Sequence, residues 1–352
     1  MEPEKLTRRI VEAVRNVTGP GLIELHKPFI RFEDADAVRD TLVRDPVGYG
    51  AIAEFEQELA AACGRRYAVA VSSGTAALHL ALLAAGVRPG DKVALPTLNF
   101  VAAAAAVRYC GALPVFDPRG NNPGAFAAEI DVHLLGRVSG RVVMTEPKGF
   151  GIEDAAEALG SRFQSKPCGS FWNISILSFN NNKIVTTGGG GAVLTNDGNV
   201  ADLVRHLATT ARLPGLEFEH DAVGFNYRMG NVNAALGLTQ LLHLPTILRR
   251  KREIHEAYVH QIGAIIDADL RMPPEPSENE RPNHWLNAIT VPVTLRDFIM
   301  DALRSDGINC RPLFKPLHLL APYSEFECDD VQAGVATNCW LSTILLPSGA
   351  FN

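Results

Sequence analysis

One lysine of this chain lies where covalent chemistry could take place. Lys183 follows a predicted buried strand, SILSF, and precedes the glycine-rich run TTGGGG. A lysine held at such a place can lose its hydration and form a Schiff base with a carbonyl compound. The alternative is an ordinary surface lysine in a loop, since most lysines are exposed.

A second segment, SSGTAA at residues 72–77, could bind a phosphate group. It lies where a predicted strand passes into a helix. Hydroxyl groups, a glycine that allows close approach, and the free N–H groups of a helix start together suit an anion. Serine and threonine also cap helices without binding a ligand, and that alternative stays equally open.

The third segment is acidic. Glu153, Asp154 and Glu157 stand at the end of a short apolar segment. A carboxylate at a strand end could hold a protonated ring nitrogen. From this segment alone, a helix cap for AAEALG is the favoured alternative.

Alternating strands and helices must position these three groups. The pattern predicts a helix over residues 51–63, a strand YAVAVSS and a helix that ends at Gly86. A strand and loop KVALPTLNF, a helix VAAAAAVRYCG and a strand ALPVFD follow. This alternation indicates a mostly parallel sheet, in which ligands bind beyond the carboxyl ends of the strands.

The pattern is less regular after residue 116. We expect a helix over residues 125–138, a strand over residues 141–146, and a long helix from about Asn231 to Ile262. The sequence thus predicts an α/β protein with a large domain, residues 1–245, and a smaller α+β domain, residues 246–352.

The composition excludes several classes of protein. Hydrophobic residues make up 47% and charged residues 20%, as in globular proteins. No apolar stretch suits a membrane span, and the first residues lack the apolar core of a secretory signal. A net charge of -6 without a large basic cluster gives no site for nucleic acid. The six scattered cysteines do not have zinc-site spacing, so we expect no metal. From the lack of a membrane span and of a secretory signal, we expect a cytoplasmic protein.

The order of the three segments is more specific than any one of them. It resembles the DegT/DnrJ/EryC1/StrS sugar aminotransferases, which are fold-type I enzymes that use pyridoxal 5'-phosphate (PLP). The stretches that carry the resemblance are FEQELAAACGRRYAVAVSSGTAALHLAL, GDKVALPTLNFVAAA, IEDAAEALGS, LSFNNNKIVTTGGGGAVLTND and VGFNYRMGNVNAALGLTQL. GLIELHKPF and HDAVGFNYRMGNVNAALG look most similar to the LegC-type branch, whose members aminate a nucleotide-linked 4-keto-6-deoxy sugar.

The resemblance implies a role for each motif residue around the cofactor ring. Lys183 would bind PLP covalently and move the reacting proton, and Asp154 would pair with the pyridinium nitrogen. Glu157 would lie near the phenolic oxygen, where many members have Gln or His. Phe100 would stack on the ring. The positions that match the phosphate-binding residues are Gly74, Thr75, Ala76 and Ser178.

The resemblance also implies a homodimer with a composite active site. Asn226 matches a residue that reaches the phosphate from the neighbouring subunit. Arg228 would face acidic groups of the substrate, with a structural ion pair as the alternative. His318 matches a histidine near the substrate entrance, with a structural interface role as the alternative. Tyr49 stands where relatives have a tryptophan-containing stretch that lines the substrate site.

Two features differ from the family pattern. RVVMTE leads through PKGFG directly into IEDAA, which leaves five residues where a crossover needs about a dozen or more. This puts the position of Asp154 in doubt. Asn99 also stands before Phe100, where threonine is more usual.

The predicted function is transfer of an amino group from glutamate or glutamine to a keto sugar. Two alternatives stay open because of the short segment before Asp154. One is another fold-type I PLP reaction on a specialised-metabolite substrate. The other is a catalytically weakened homologue that acts as a binding partner.

Overall fold

A computed structural model describes residues 2–117, 126–144, 147, 149–265 and 270–349. The helices are α1 Pro3–Thr18, α2 Phe32–Arg44, α3 Gly50–Ala62, α4 Gly74–Ala84, α5 Ala102–Tyr109, α6 Gly140–Met144, α7 Gly198–Ala208, α8 Asn231–Gly263, α9 Arg296–Ser305 and α10 Asp330–Ser342. The strands are β1 Tyr67–Val71, β2 Lys92–Leu95, β3 Leu113–Phe116, β4 Ala128–Val132, β5 Phe150–Asp154, β6 Arg162–Phe163, β7 Lys166–Pro167, β8 Ile174–Ser178, β9 Gly191–Thr195, β10 Glu280–Arg281, β11 Asn287–Thr290, β12 Arg311–Pro312 and β13 Thr343–Leu346.

A seven-stranded sheet in the order β1-β9-β8-β5-β4-β2-β3 forms the centre of the fold. Its strands all run parallel except β9, which is antiparallel to both of its neighbours. The carboxyl ends of six strands and the start of β9 therefore lie at one edge. The predicted α/β fold with a mostly parallel sheet is confirmed.

Gly191 joins two strand ends at this edge. It pairs with Val71 of β1 on one side and with Ser178 of β8 on the other. A Cβ atom at Gly191 would lie 2.5 Å from the carbonyl carbon of Ser73. Ser73 caps α4, because its Oγ accepts a hydrogen bond from the N–H of Ala76 at 3.0 Å. The missing side chain thus lets the start of α4 lie against the sheet.

Two predicted elements between β3 and β5 are wrong. The predicted helix over residues 125–138 contains β4, and the predicted strand over residues 141–146 begins inside α6. Residues 125, 145 and 146 lie outside the described part. Every residue of β4 is buried, so the strand lacks the alternation that marks a half-exposed strand. Glu129 of this strand pairs with Arg141 of α6, which offsets the cost of burying the carboxylate.

With these elements, the shortened crossover lies at a different place in the chain from the one that the sequence predicted. The connection from β4 to β5 contains α6 and has room to cross between parallel strands. The connection from β3 to β4 spans only residues 117–127, and residues 118–125 of it lie outside the described part. The short connection therefore does not lie directly before Asp154.

The predicted domain boundary falls inside α8. This helix continues through Pro245 for 33 residues and packs against α2 and α3 as well as α1. Leu6 and Ile10 of α1 share a core with Tyr258 of α8 and Ile299 of α9. The N-terminal helix, which the sequence assigned to the large domain, thus packs with C-terminal elements.

Lys251 in α8 connects two distant segments. It is fully buried, and its Nζ donates hydrogen bonds to the carbonyl of Trp285, at 2.7 Å, and to that of Ser348. Burial lowers the pKa of Lys251 well below its ordinary value. Among the described helices, none combines the length and the apolar character that crossing a membrane requires.

We predict that Gly191→Ala destabilises the fold by about 1–3 kcal/mol, the usual cost of overpacking. The added methyl group would collide with the backbone of Ser73 and Gly74, which cannot rotate away as a side chain can. Thermal unfolding of the cofactor-free protein measures the loss. Gly189→Ala is the matched control, because a Cβ there meets nothing within 4 Å. Equal stability of the two variants would contradict the prediction.

Candidate active site

Residues at the carboxyl edge of the sheet line a cavity of about 390 Å³. It brings together parts of all three segments that the sequence analysis singled out. The predicted site residues that line it are Gly74, Thr75, Phe100, Asp154, Glu157, Ser178 and Lys183.

Lys183 lies inside this cavity rather than on the outer surface. Its side chain is 14% exposed, and its Nζ lies 3.7 Å from Oε1 of Glu157. The Nζ also lies 4.0 Å from the centre of the Trp285 ring, a cation–π contact. Trp285 in turn donates from Nε1 to the carbonyl of Asn182 at 2.7 Å. The tryptophan therefore fixes both the amine and the residue before it.

Two buried carboxylates face the amine. Asp154 ends β5 and accepts a hydrogen bond from the N–H of Ala156 at 3.0 Å, while Glu157 accepts one from the N–H of Leu135 at 2.7 Å. Burial raises the pKa of each carboxyl above its ordinary value, and the nearby Lys183 partly opposes this rise. Lys183 is thus the only cation among the described residues that line the cavity, against two acids.

The start of α4 lies at one end of the cavity, where its free amides suit an anion. The N–H groups of Gly74 and Thr75 belong to the first helical turn, whose amides lack partners within the helix. A Cβ atom at Gly74 would lie 2.9 Å from Cβ of Ser178. The glycine thus allows the helix start and the Ser178 hydroxyl to face one small group. Ala76 does not line the cavity, and its N–H is bonded to Ser73.

Aromatic side chains line another part of the cavity. Phe100 is 54% exposed, and its ring contacts that of Phe314 edge-on, with centres 5.7 Å apart. Asn99, the residue before it, is buried and also lines the cavity. The exposed Phe100 therefore marks the open side, and Asn99 lies deeper.

Glu153 and Asp154 are adjacent in β5 but have different surroundings. Glu153 does not line the cavity. It accepts hydrogen bonds from Nε2 of His133 at 2.9 Å and from Oγ of Ser175 at 2.6 Å. It also accepts the N–H groups of Gly169 and Phe171. Burial alone would raise the pKa of Glu153, but the bonds from His133, Ser175 and Gly169 hold it below its ordinary value.

His133, Glu153 and Cys168 form a fully buried cluster with the donor types that bind metals. Nδ1 of His133 accepts the N–H of Ser139 at 3.0 Å, so Nε2 carries the proton that is donated to Glu153. Both oxygens of Glu153 already accept two hydrogen bonds each. Internal hydrogen bonds therefore account for this cluster.

Three predicted site residues meet at a second cavity, of about 750 Å³. Tyr49, Asn226 and Arg228 line it, and the Arg228 guanidinium lies 4.3 Å from the centre of the Tyr49 ring. The segment that carries Asn226 and Arg228 runs beside β1, where the N–H of Ser72 donates to the carbonyl of Tyr227 at 2.6 Å. The second cavity thus lies next to the strand that leads into the start of α4.

His318 lines neither of these cavities. Its Nδ1 lies 2.7 Å from Oγ1 of Thr97, and its Nε2 lies 3.4 Å from Oγ1 of Thr337. Burial lowers the pKa of His318 below its ordinary value. Its predicted role at the substrate entrance stays a prediction.

The sequence analysis missed several residues of the site. Trp285 lies far along the chain, and only the fold brings it to Lys183. Asn180 and Asn182 stand in the quoted motif NNNK and line the cavity, so the motif itself held the signal. His26 lies 6.4 Å from Trp285, ring centre to ring centre, and neither ring nitrogen has a hydrogen-bond partner in the described part of the chain.

Comparison with known proteins identifies the family. The model of the DegT/DnrJ/EryC1/StrS aminotransferase family matches residues 29–121 and 130–350. The chain belongs to the DegT/DnrJ/EryC1/StrS aminotransferase family. The family match is interrupted between residues 121 and 130, a stretch that ends within β4 and does not lie directly before Asp154.

Named relatives of this aminotransferase act on sugars. This chain is 35% identical over 319 residues to GDP-perosamine synthase of Caulobacter vibrioides, and the match covers 85% of each chain. It is 29% identical over 358 residues to dTDP-4-dehydro-2,3,6-trideoxy-D-glucose 4-aminotransferase of Saccharopolyspora spinosa, covering 93% of this chain and 91% of the other. The crystal structure of the aminotransferase TlmJ from Streptoalloteichus hindustanus matches with a TM-score of 0.84 and 28% identity, covering 93% of this chain and 94% of that one.

The chain is therefore a PLP-dependent aminotransferase, and the predicted family, fold and cofactor are confirmed. The cavity fits this cofactor. The close approach at Gly74 leaves a place for a phosphate at a helix start, and a buried carboxylate lies beyond it for a cationic ring nitrogen. The LegC-type branch stays a prediction.

We predict opposite effects on stability from changing the two adjacent acids of β5. Glu153→Gln should destabilise the cofactor-free protein by about 3–5 kcal/mol, because it breaks a buried hydrogen-bonded pair. Asp154→Asn should leave stability equal or higher at neutral pH, because burial disfavours the ionised form of this carboxyl and one backbone N–H is its only hydrogen-bond donor in the described part of the chain.

The pH dependence provides the check for Asp154. Its pKa is raised in the folded state, so its contribution to stability is full below the ordinary value of 3.8 and is lost as the pH rises through the raised value. The Asp154→Asn variant should lack that loss in thermal unfolding measured across the same pH range. Parallel pH curves for the wild type and this variant would contradict the prediction.

Proposed function

We propose that this aminotransferase moves an amino group from glutamate or glutamine to the keto carbon of a nucleotide-linked 4-keto-6-deoxy sugar. The observation that carries the proposal is the shared cavity of Lys183, Asp154 and the start of α4. The sugar-acting relatives support the acceptor class, since two of them are named for products or substrates of this kind.

The start of α4 would hold the cofactor phosphate. The amides of Gly74 and Thr75 and the hydroxyl of Ser178 are the donors on this side of the cavity, and the helix dipole favours an anion there. Ala76 would act indirectly, because its bond to Ser73 maintains the helix start. Phe100 would cover one face of the ring.

The two acids and the amine have complementary roles. PLP supplies an electron sink that makes the Cα–H bond of the amino donor acidic. Asp154 would keep the ring nitrogen protonated, which offsets the cost of its own burial. Lys183 would take up the proton and return it on the same side of the cavity. Glu157, 3.7 Å from the amine, would hold Lys183 in place beside the phenolic oxygen.

The charges of the side chains that line the cavity agree with these roles. Two buried carboxylates and one amine leave an excess of negative charge when all three are ionised. A cationic ring next to Asp154 removes that excess, and an anionic phosphate then lies at the opposite, electropositive helix start.

We also propose that the active site is completed by a second subunit. Asn226 would reach the phosphate of the partner's site, with Arg228 directed to an acidic group of the substrate and Tyr49 beside it. The surface around the second cavity supports a protein contact, since Phe218, which lines it, is 78% exposed. His318 near the entrance and the cytoplasmic location stay predictions.

The alternative of a weakened homologue lost its main support. It rested on a short segment directly before Asp154, whereas the interruption of the family match ends within β4. No specific feature of the site favours a different PLP reaction over transamination.

The first prediction from this function concerns Lys183→Ala. The variant should fold but lose the visible absorbance of lysine-bound PLP, and amino transfer should fall by several orders of magnitude. Absorbance spectra before and after glutamate, followed by mass analysis of the product from GDP-, dTDP- and UDP-linked 4-keto-6-deoxy sugars, measure both effects. Lys5→Ala is the control, an exposed lysine in α1. Unchanged transfer by Lys183→Ala would refute the mechanism, and failure of the wild type with every keto sugar would refute the acceptor class.

The second prediction uses mixed subunits to test the composite site. Asn226→Ala alone should weaken PLP binding by roughly tenfold, as expected for loss of a hydrogen bond to a charged group. When Asn226→Ala subunits are mixed and reassorted with Lys183→Ala subunits, tight binding should return. One site of each mixed dimer then has Lys183 from the first subunit and Asn226 from the second. If Asn226 instead belongs to the site of its own subunit, every site of a mixed dimer lacks either Lys183 or Asn226, and mixing does not restore tight PLP binding.

A further inference from the structure

Asn99 is a buried polar residue of the cavity whose hydrogen bonding is incomplete. It follows β2 in the loop that leads to Phe100, is 3% exposed and lines the cavity with Lys183 and Asp154. The roles proposed above do not use its side chain.

The orientation of the Asn99 amide is fixed by its neighbour. Its Oδ1 accepts the N–H of Phe100 at 2.6 Å. The other end of the side chain is therefore the NH₂ group, a donor of two hydrogen bonds. This Nδ2 is buried and has no partner in the described part of the chain.

The carboxylates that line the same cavity do not satisfy this donor. Glu157 receives the N–H of Leu135 and faces Lys183, and Asp154 receives the N–H of Ala156. An unsatisfied donor sealed from water is unfavourable, so its retention points to a partner that arrives with the ligand.

We propose that Nδ2 of Asn99 donates a hydrogen bond to an oxygen of the bound cofactor. Asn99 lies deep in the cavity, whereas Phe100 beside it is 54% exposed, and a resident group contacts the deeper residues while the substrate enters from the open side. PLP carries anionic oxygens on its ring and on its phosphate, and both suit an amide donor. The inference rests on PLP binding in this cavity, as in the function proposed above.

The test compares PLP dissociation constants of cofactor-free proteins, measured by absorbance without any substrate. Asn99→Asp keeps the acceptor for the Phe100 N–H and replaces the donor with a second acceptor. It should weaken PLP binding roughly tenfold or more. Asn99→Ala removes the donor without adding charge and should weaken binding too, so it carries the test if the aspartate variant fails to fold. Thermal unfolding of each variant reports folding.

The matched control is Asn196→Asp. Asn196 likewise accepts a backbone N–H, that of Arg66 at 2.9 Å, but it is exposed and outside the cavity. This variant should bind PLP within about twofold of the wild type, as expected for a surface change.

The outcomes distinguish the ring oxygen of PLP from its phosphate oxygens, and they distinguish failure of this inference from failure of the proposed function. Weaker binding with a shifted visible band indicates the ring oxygen, and weaker binding with an unchanged band indicates the phosphate. Wild-type affinity in both folded Asn99 variants would overturn the inference while leaving the proposed function intact. A wild type that binds no PLP would instead refute the proposed function.

Discussion

The site depends on a close approach of backbones that two glycines permit. Gly191 pairs with the ends of both β1 and β8, and Gly74 begins the helix that follows β1. Side chains at either position would collide with Ser73 or Ser178. Without this contact the amides at the start of α4 and the hydroxyl of Ser178 could not face the same part of the cavity, and the proposed phosphate site opposite Lys183 would not form.

The single antiparallel strand of the sheet contributes to the same arrangement. Because β9 runs against its neighbours, the chain returns through the glycine-rich turn to the edge where β8 has just ended. Lys183 lies in the connection between these two strands and is therefore held over the edge of the sheet. Within β5, the two-residue alternation of a strand then separates a structural acid, Glu153, from one that lines the cavity, Asp154.

Local patterns predicted most of the central sheet and the positions of Lys183, Asp154 and Gly74, because strand ends and glycine turns are visible in the sequence. They failed for β4, because Glu129 and Asp131 interrupt the apolar run that is typical of a buried strand, and the segment was predicted to be a helix. The partners that make those acids tolerable, Arg141 and Ser139, become apparent only after folding. Trp285 was missed for the same reason, since its contact with Lys183 joins distant parts of the chain.

The buried amine of Lys251 connects distant segments to the surroundings of Lys183. It donates to the carbonyls of Trp285 and Ser348, and the hydroxyl of Tyr258 donates to the carbonyl of Pro347. Pulling the segment at Pro347 and Ser348 away from α8 would leave that amine with a single acceptor, the carbonyl of the tryptophan that adjoins Lys183. The segment at Pro347 and Ser348 is therefore part of the electrostatic setting of Lys251 and Trp285, and a change in its packing against α8 would reach the side of the cavity where Lys183 lies.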